Sequence, residues 1–439
     1  MKIAPLSGFP EWLPADRIVE QRLLDTLRET FELHGFSGIE TRAVEPLEQL
    51  LRKGETSKEV YVLSRLQGEE GQKAELGLHF DLTVPLARYV LENAGKLDFP
   101  FKRYQIQKVW RGERPQDGRF REFIQADVDV VGADTLAFHH DIELPLVMVD
   151  ALSKLPIPRV VVRASNRKVA QGFYEAIGIE DVEETLRIVD KLDKVGPDVV
   201  AELLAERVGA SEEQARKALA LADITGTDAS VAESVLELGA RSELLDEGLD
   251  ELVRLIEGAN DLIEGSLVAD LRIARGLDYY TGSVFESTVI GHEDLGSVCS
   301  GGRYDALASD GKKTYPGVGL SIGVSRLLSR VIGSGLVQAS RKVPTCVLVA
   351  VNDESERLSA SRTAMALRQR GIPADVSPNS AKFGKQIRHA DRRGIPYVWF
   401  STDEGEQVKD IRSGEQVSAD ANTWSPPSED LYPQLNGEV

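Results

Sequence analysis

Two runs near the first quarter of the chain alternate polar and apolar residues. Lys102 to Trp110 is one and Glu122 to Val131 is the other. In the second run Ile124, Ala126, Val128 and Val130 share one face, and Gln125, Asp127 and Asp129 share the other, the period of two expected of a strand. Between the runs lies a basic segment, Arg111 to Arg121. The pattern predicts an antiparallel hairpin with a long loop, and loops of that length tend to carry function.

Elsewhere the period shifts. Val19, Leu23, Leu27 and Phe31 recur at helical spacing and predict a helix over Ile18–His34, ended by Gly35. Gly38 to Pro46 reads as a strand stopped by proline, Leu76 to Val84 as another, and Pro85 to Asn93 as a helix. Residues 134–153 read as helical and 158–165 as a strand. From about 167 to 263 the pattern is helical and acidic, and a β-like run follows from Leu267 to Ile290. Because strands resume there, the helical stretch is expected to be an insertion in an α+β domain. Residues 317–323 read as a strand and 324–334 as a helix. Gly333 to Lys342 reads as a linker. A small α/β pattern then runs from Thr345 to about residue 420, with a helix over Lys385–Arg392. The Pro- and Glu-rich tail from Trp424 is expected to be loosely docked or disordered.

Composition narrows the class. The chain has 439 residues, 42% of them apolar and 28% charged, which predicts two or three globular domains. No apolar run is long enough to span a bilayer, and Met1-Lys2-Ile3-Ala4-Pro5 lacks the apolar core of a signal peptide. Two cysteines, Cys299 and Cys346, provide neither a disulfide framework nor a zinc site, so a reducing cytoplasm is the expected setting. The net charge of −19 argues against a polyanionic partner only until its distribution is read. Residues 170–265 hold 24 acidic and 8 basic side chains, a net of −16. Residues 341–396 hold 11 basic and 5 acidic, a net of +6, and residues 102–121 hold 7 and 2, a net of +5. Two basic patches on an acidic body permit nucleic-acid contact at defined places.

The hairpin has two chemical readings. Its arginines suit phosphate oxygens, and its acid face suits an ammonium or imidazole group. Alternatively its arginines pair with its own acids on a charged surface.

Other motifs bear on the choice. Arg111-Gly112-Glu113 with the basic loop resembles motif 2 of class II aminoacyl-tRNA synthetases. Gly317 to Arg326 resembles motif 3, and the helix–strand ending at Pro46 resembles motif 1. Further blocks narrow the resemblance to histidyl-tRNA synthetases: His79 to Pro85, Arg275-Gly276-Leu277-Asp278-Tyr279-Tyr280-Thr281-Gly282, and Ser300 to Asp305. Lys382 to Gln386 and Lys409 to Gln416 resemble that family's anticodon-binding domain. The resemblance covers nearly the whole chain and is weakest in the insertion and the tail.

It implies a class II catalytic domain built on an antiparallel sheet, in residues 1–166 and 264–333, with a helical insertion at 167–263. An α/β anticodon-binding domain at 343–423 and a tail at 424–439 follow. It also implies L-histidine, ATP with Mg2+, and tRNA(His) as substrates, and a homodimer. Asp81 and Thr83 would hold the ammonium of histidine. Gln125, Asp129, Tyr279, Tyr280 and Tyr304 would complete the pocket, with Asp129 and Tyr280 on the imidazole. Arg111 and Arg326 would clamp ATP phosphates, with Glu113 and Arg119 at the nucleotide. Arg275, with Arg111, would act on the reacting α-phosphate and carboxylate. Gln116, Arg119, Arg121 and Lys385 would meet tRNA. No metal cage made of protein ligands is implied.

One residue departs from the pattern. Ser325 stands where the family's motif 3 usually has a glutamate, which puts metal ligation there in doubt. The rival reading is a non-catalytic, synthetase-like regulatory subunit of histidine biosynthesis. Such chains usually lack the anticodon domain and have degraded histidine-specific motifs, whereas this chain keeps both.

Overall fold

The computed structural model describes residues 4–51, 59–67, 74–273, 280–306, 308–309, 311–402 and 405–437. Arg275 and Tyr279 therefore lie outside the described residues, as do Gly276, Leu277 and Asp278. The chain divides into two compact units, Met1–Pro10 with Leu24–Arg330 and Glu11–Leu23 with Val331–Val439. No helix among the described residues is long and apolar enough to cross a membrane.

The first unit is mixed α+β. Its main sheet has nine strands among the described residues: β1 (Ser37–Gly38), β2 (Phe101–Trp110), β3 (Glu122–Val131), β4 (Val160–Asn166), β5 (Thr225–Gly226), β6 (Leu267–Asp270), β7 (Ser283–Val289), β8 (Cys299–Tyr304) and β9 (Gly317–Gly323). Their order is β1-β2-β3-β9-β8-β7-β4-β6-β5. All contacts are antiparallel except β1 with β2 and β4 with β6. The hairpin predicted from alternation is β2–β3, and β9 matches the strand read over 317–323. The apolar face of β3 packs inward as expected, with Ala126, Val128 and Val130 fully buried. Its polar face is buried too, because it forms the floor of a cavity.

Helix α1 (Pro14–Leu33) carries the predicted stripe, and Leu23, Leu27 and Phe31 are buried. Helices α2 (Thr83–Asn93), α3 (His139–Ser153), α4 (Arg167–Ala176) and α5 (Glu243–Leu262) follow. α4 crosses α5 closely: a Cβ on Gly172 would lie 2.5 Å from the Leu245 nitrogen, and one on Gly248 2.6 Å from the Val169 nitrogen. Helix α6 (Val324–Gly333) follows β9, and the unit's last residue, Arg330, lies within it.

Several expectations are corrected. The strand read over Leu76–Val84 stops at Leu78, because Asp81 Oδ1 accepts from the Val84 nitrogen at 3.1 Å and turns the chain into α2. Gly38 to Pro46 is two strands, β1 and Val44–Pro46, in different sheets. The β-like run from Leu267 to Ile290 divides into β6 and β7, with a turn at Leu271–Arg272 after the first.

The second unit has the sheet order β11-β10-β12-β13-β14, where β10 is Val347–Val349, β11 Ala374–Val376, β12 Tyr397–Thr402, β13 Gly405–Asp410 and β14 Gln416–Ser418. β10 runs parallel to β11 and β12. Helices α7 (Arg357–Gln369) and α8 (Phe383–Arg393) complete the α/β pattern. The linker and tail are more ordered than their composition implies. Val337–Ala339 pairs antiparallel with Leu435–Gly437. The buried Arg341 donates to the carbonyls of Asp430 and Leu431, both at 2.8 Å. Trp424 packs edge-on against Tyr397 and Trp399.

Candidate active site

Strand register assembles the site. Directly opposed residues share a face. Arg103, Asp129, Gly319, Gly302 and Val284 form one row across β2, β3, β9, β8 and β7, and Gln105, Asp127, Ser321, Ser300 and Glu286 form the next. Gln107, Gln125 and Gly323 form a third. The β2 and β3 positions carry polar side chains, while β9 carries only glycine and serine. That contrast opens space above the floor. A Cβ on Gly319 would fall 2.0 Å from Asp129 Oδ1, and one on Gly302 would fall 2.9 Å from the Tyr280 ring.

The space is two adjoining cavities. The inner one, about 110 Å³, is lined by Asp81, Thr83, Gln125, Asp127, Asp129, Tyr280 and Tyr304 among others. The outer one, about 320 Å³, is lined by Glu113, Arg119, Phe120, Phe123, Glu286 and Arg326 among others. Arg111, Gln125, Tyr280, Ser300 and Ser321 line both, so the cavities share a wall.

The inner cavity is built to hold a cationic or N–H-bearing ligand. Tyr304 Oη donates to Asp129 Oδ1 at 2.8 Å, and Arg103 Nη2 lies 2.7 Å from Asp129 Oδ2. Gln125 Nε2 donates to Ser321 Oγ at 2.8 Å, leaving the buried Gln125 Oε1 without a donor among the described residues. Burial pushes the Asp127 carboxyl up to about 7; the Arg103 guanidinium opposes that shift and the Asp129 carboxylate adds to it. Beneath the turn, His79 is fully buried and its Nε2 donates to the Lys108 carbonyl at 2.7 Å. Burial holds its imidazole below the usual value, so it is a neutral structural residue.

The outer cavity is framed by arginines. Arg111 Nε donates to the Phe80 carbonyl at 3.0 Å, and its guanidinium sits over the Phe123 ring at 5.2 Å. Arg326 donates to the Gly118 carbonyl at 3.2 Å and to the Ser297 carbonyl, tying the hairpin loop to α6. Gly118 sits at φ 68° in that loop, where a Cβ would meet Leu295 at 2.9 Å. Arg119 lies 3.5 Å from Glu113, and Arg121 Nε donates to the Glu113 carbonyl at 3.1 Å. The self-paired reading of the hairpin therefore holds for Arg119. Burial and the nearby Glu113 raise the Glu59 carboxyl, while Arg111 and Arg119 oppose the rise. Ser325 has a structural role: its Oγ accepts from the Ile124 nitrogen at 2.9 Å, joining α6 to β3.

Most predicted residues converge. Asp81, Thr83, Arg111, Gln125, Asp129, Tyr280 and Tyr304 meet in the inner cavity, and Glu113, Arg119 and Arg326 in the outer one. Gln116 and Arg121 sit on the hairpin loop, and Lys385 lies in the first turn of α8 in the second unit. Reading the sequence missed Phe123 and Glu286, which line the outer cavity, and Arg103, the ion-pair partner of Asp129. Alternation along β2 could have identified Arg103, since it shares parity with Gln105 and Gln107. Arg303, inside the third histidine-specific block, is structural: it grips the buried Asp141 of α3 through Nε and Nη2.

A family model described as histidyl-tRNA synthetase matches residues 8–327, and one described as an anticodon-binding domain matches residues 345–422. The chain belongs to the histidyl-tRNA synthetase family. A histidine–tRNA ligase of Cutibacterium acnes is 56% identical, with 99% of each chain covered. One of Micrococcus luteus is 59% identical, with 98% of each covered. The crystal structure of histidyl-tRNA synthetase from Nostoc sp. PCC 7120 superposes with a TM-score of 0.86 at 36% identity, covering 96% of this chain and 98% of that one. A Bacillus halodurans structure titled as an ATP phosphoribosyltransferase regulatory subunit/histidyl-tRNA synthetase shares the fold at 20% identity and a TM-score of 0.74. The class II catalytic unit with its antiparallel sheet, followed by an α/β anticodon-binding unit, is thus a family architecture.

Proposed function

We propose that the inner cavity takes L-histidine, the outer cavity takes ATP, and the shared wall is where the two react. The chain is a histidine–tRNA ligase. The single observation that carries the reading is the adjoining pair of cavities with Arg111 on both. Asp81 and Thr83 accept the α-ammonium, and Asp129, Gln125, Tyr280 and Tyr304 take the imidazole. Tyr279 is a further pocket residue by resemblance. A site that hydrogen-bonds both ring nitrogens rejects analogues lacking them.

ATP enters as its Mg2+ complex, with the Glu113 and Glu286 carboxylates in the outer cavity. The adenine stacks at Phe123, and Arg111, Arg119 and Arg326 face the phosphates. The histidine carboxylate oxygen attacks the α-phosphorus, the bond to the β-phosphate oxygen breaks, and pyrophosphate leaves. No protein nucleophile is required. Arg111, and Arg275 by resemblance, stabilise the charge that develops on the α-phosphate. In the second step a ribose hydroxyl at the tRNA 3′ end attacks the acyl carbon and releases AMP. Gln116, Arg119 and Arg121 of the hairpin loop meet the acceptor end. Lys385 and the basic stretch over residues 341–396, net +6, meet the anticodon loop, whose unpaired bases are readable. The working form is a cytoplasmic homodimer.

A regulatory, non-catalytic role is the weaker reading, because the inner cavity keeps its polar lining and the anticodon-binding unit is present. Isothermal titration of L-histidine into the wild type and D129N tests the pocket. Affinity falling at least about tenfold in D129N supports the reading; equal binding by the two proteins overturns it.

A further inference from the structure

We propose that Arg103 is a positioning residue for the amino-acid pocket, fixing the two ends of the histidine site from the β2 side of its floor. The proposal rests on the reading of the inner cavity as the histidine pocket. Arg103 is fully buried, and a buried arginine is retained only where its charge is answered. The answer is Asp129 Oδ2, 2.7 Å from Nη2, on the residue directly opposite in the β2–β3 ladder. The same Nη2 lies 3.5 Å from the carbonyl of Leu82, the residue between Asp81 and Thr83. Nη1 lies 3.4 Å from Gln105 Oε1, whose amide donates to Thr41 and Gln107. One planar guanidinium therefore touches the acceptor for the imidazole and the turn that carries the acceptors for the ammonium.

Charge explains why the position needs a cation. Asp127 and Asp129 lie two residues apart on one buried face, and Asp81 lines the same cavity. Carboxylates crowded in a low-dielectric site cannot all stay ionised without a counter-charge. Without Arg103, a proton shared among them would turn Asp129 from an acceptor into a donor toward the ligand. It would also remove the ion pair that fixes Asp129 Oδ2. Arg103 reaches neither substrate nor reacting atoms, since it lines neither cavity. Its effect is on histidine recognition and not on ATP.

The test is histidine-dependent ATP–pyrophosphate exchange by the full chain. R103M should raise KM for histidine at least about tenfold while moving KM for ATP less than about twofold. Adding D127N to R103M removes the competing acid and should restore KM for histidine to within about threefold of wild type, a rescue that a purely packing role does not produce. R103K, which keeps the charge and loses the fork, should raise KM for histidine severalfold and is read if R103M fails to fold. An unmoved KM for histidine in R103M or R103K, or a double variant no better than R103M, overturns the role of Arg103. D129N separates the two levels. If it leaves KM for histidine unchanged, the pocket reading falls and this role with it. If D129N is crippled while the Arg103 variants are not, Arg103 alone is dismissed.

Discussion

Gly319 stands directly opposite Asp129 on the β3–β9 ladder, and a Cβ there would sit 2.0 Å from the carboxylate's Oδ1. The aspartate has little room to yield, since Arg103 holds one oxygen and Tyr304 the other. G319A should therefore displace Asp129 or splay the ladder. We expect KM for histidine to rise at least about tenfold, with a stability loss of about 1–3 kcal/mol from overpacking. Steady-state exchange and thermal melting of the purified variant check both.

Arg111 lines both cavities and stacks on Phe123, so its loss should be felt in turnover more than in folding. R111A should lower kcat for exchange by roughly 100-fold or more, on the order of 3 kcal/mol of transition-state stabilisation. R111K should recover little of it, because an ammonium replaces neither the fork nor the stack. A kcat within fivefold of wild type in R111A would contradict the assignment.

Asp127 sets a pH dependence. Burial raises its carboxyl to about 7, whereas the unfolded chain releases that proton near 4. The folded state thus holds a proton across that window that the unfolded state does not. The resulting stabilisation is present below about pH 4 and is lost as pH rises through 7. D127N keeps the shape and removes the titration. Its melting temperature relative to wild type should be higher at pH 8 than at pH 5, by a difference worth about 1–3 kcal/mol. Comparing variant with wild type at each pH removes the opposite trend from His79, whose imidazole burial holds neutral.

Arg341 anchors the C-terminal segment. It donates to the Val343, Pro344, Asp430 and Leu431 carbonyls, and Asp430 in turn accepts from Tyr397 Oη and Arg412. R341M should strand several part-buried carbonyls and cost about 2–4 kcal/mol in the second unit. Limited proteolysis should then cut near residues 424–434 faster than in wild type, leaving the first unit's melting unchanged.

The hairpin and its acid face were legible because strand alternation is a short-range signal that a single strand displays whole. The histidine-specific blocks were legible as residue strings. Arg103 was passed over because beside Lys102 it reads as part of a basic patch; its parity with Gln105 and Gln107 marks its face, and the register with Asp129 shows what answers its buried charge. Ser325 looked like a gap in a motif until the Ile124 amide, about 200 positions away in sequence, appeared as its partner. The tail misled for the same reason. Its anchors are the Asp430 and Leu431 carbonyls and the edge of Trp424, none of which a polar, proline-rich composition reveals. The division of the run from Leu267 to Ile290 depends on which neighbours β6 and β7 find, and periodicity within the run does not carry that information.

We propose that histidine and ATP are joined across the shared wall of the two cavities. Pyrophosphate exchange into ATP, run with each of the twenty amino acids in turn, tests it most directly. Exchange is expected to depend on L-histidine and to be at least about 1,000-fold weaker with every other amino acid. Exchange with no amino acid, or comparable exchange with a different one, would contradict it.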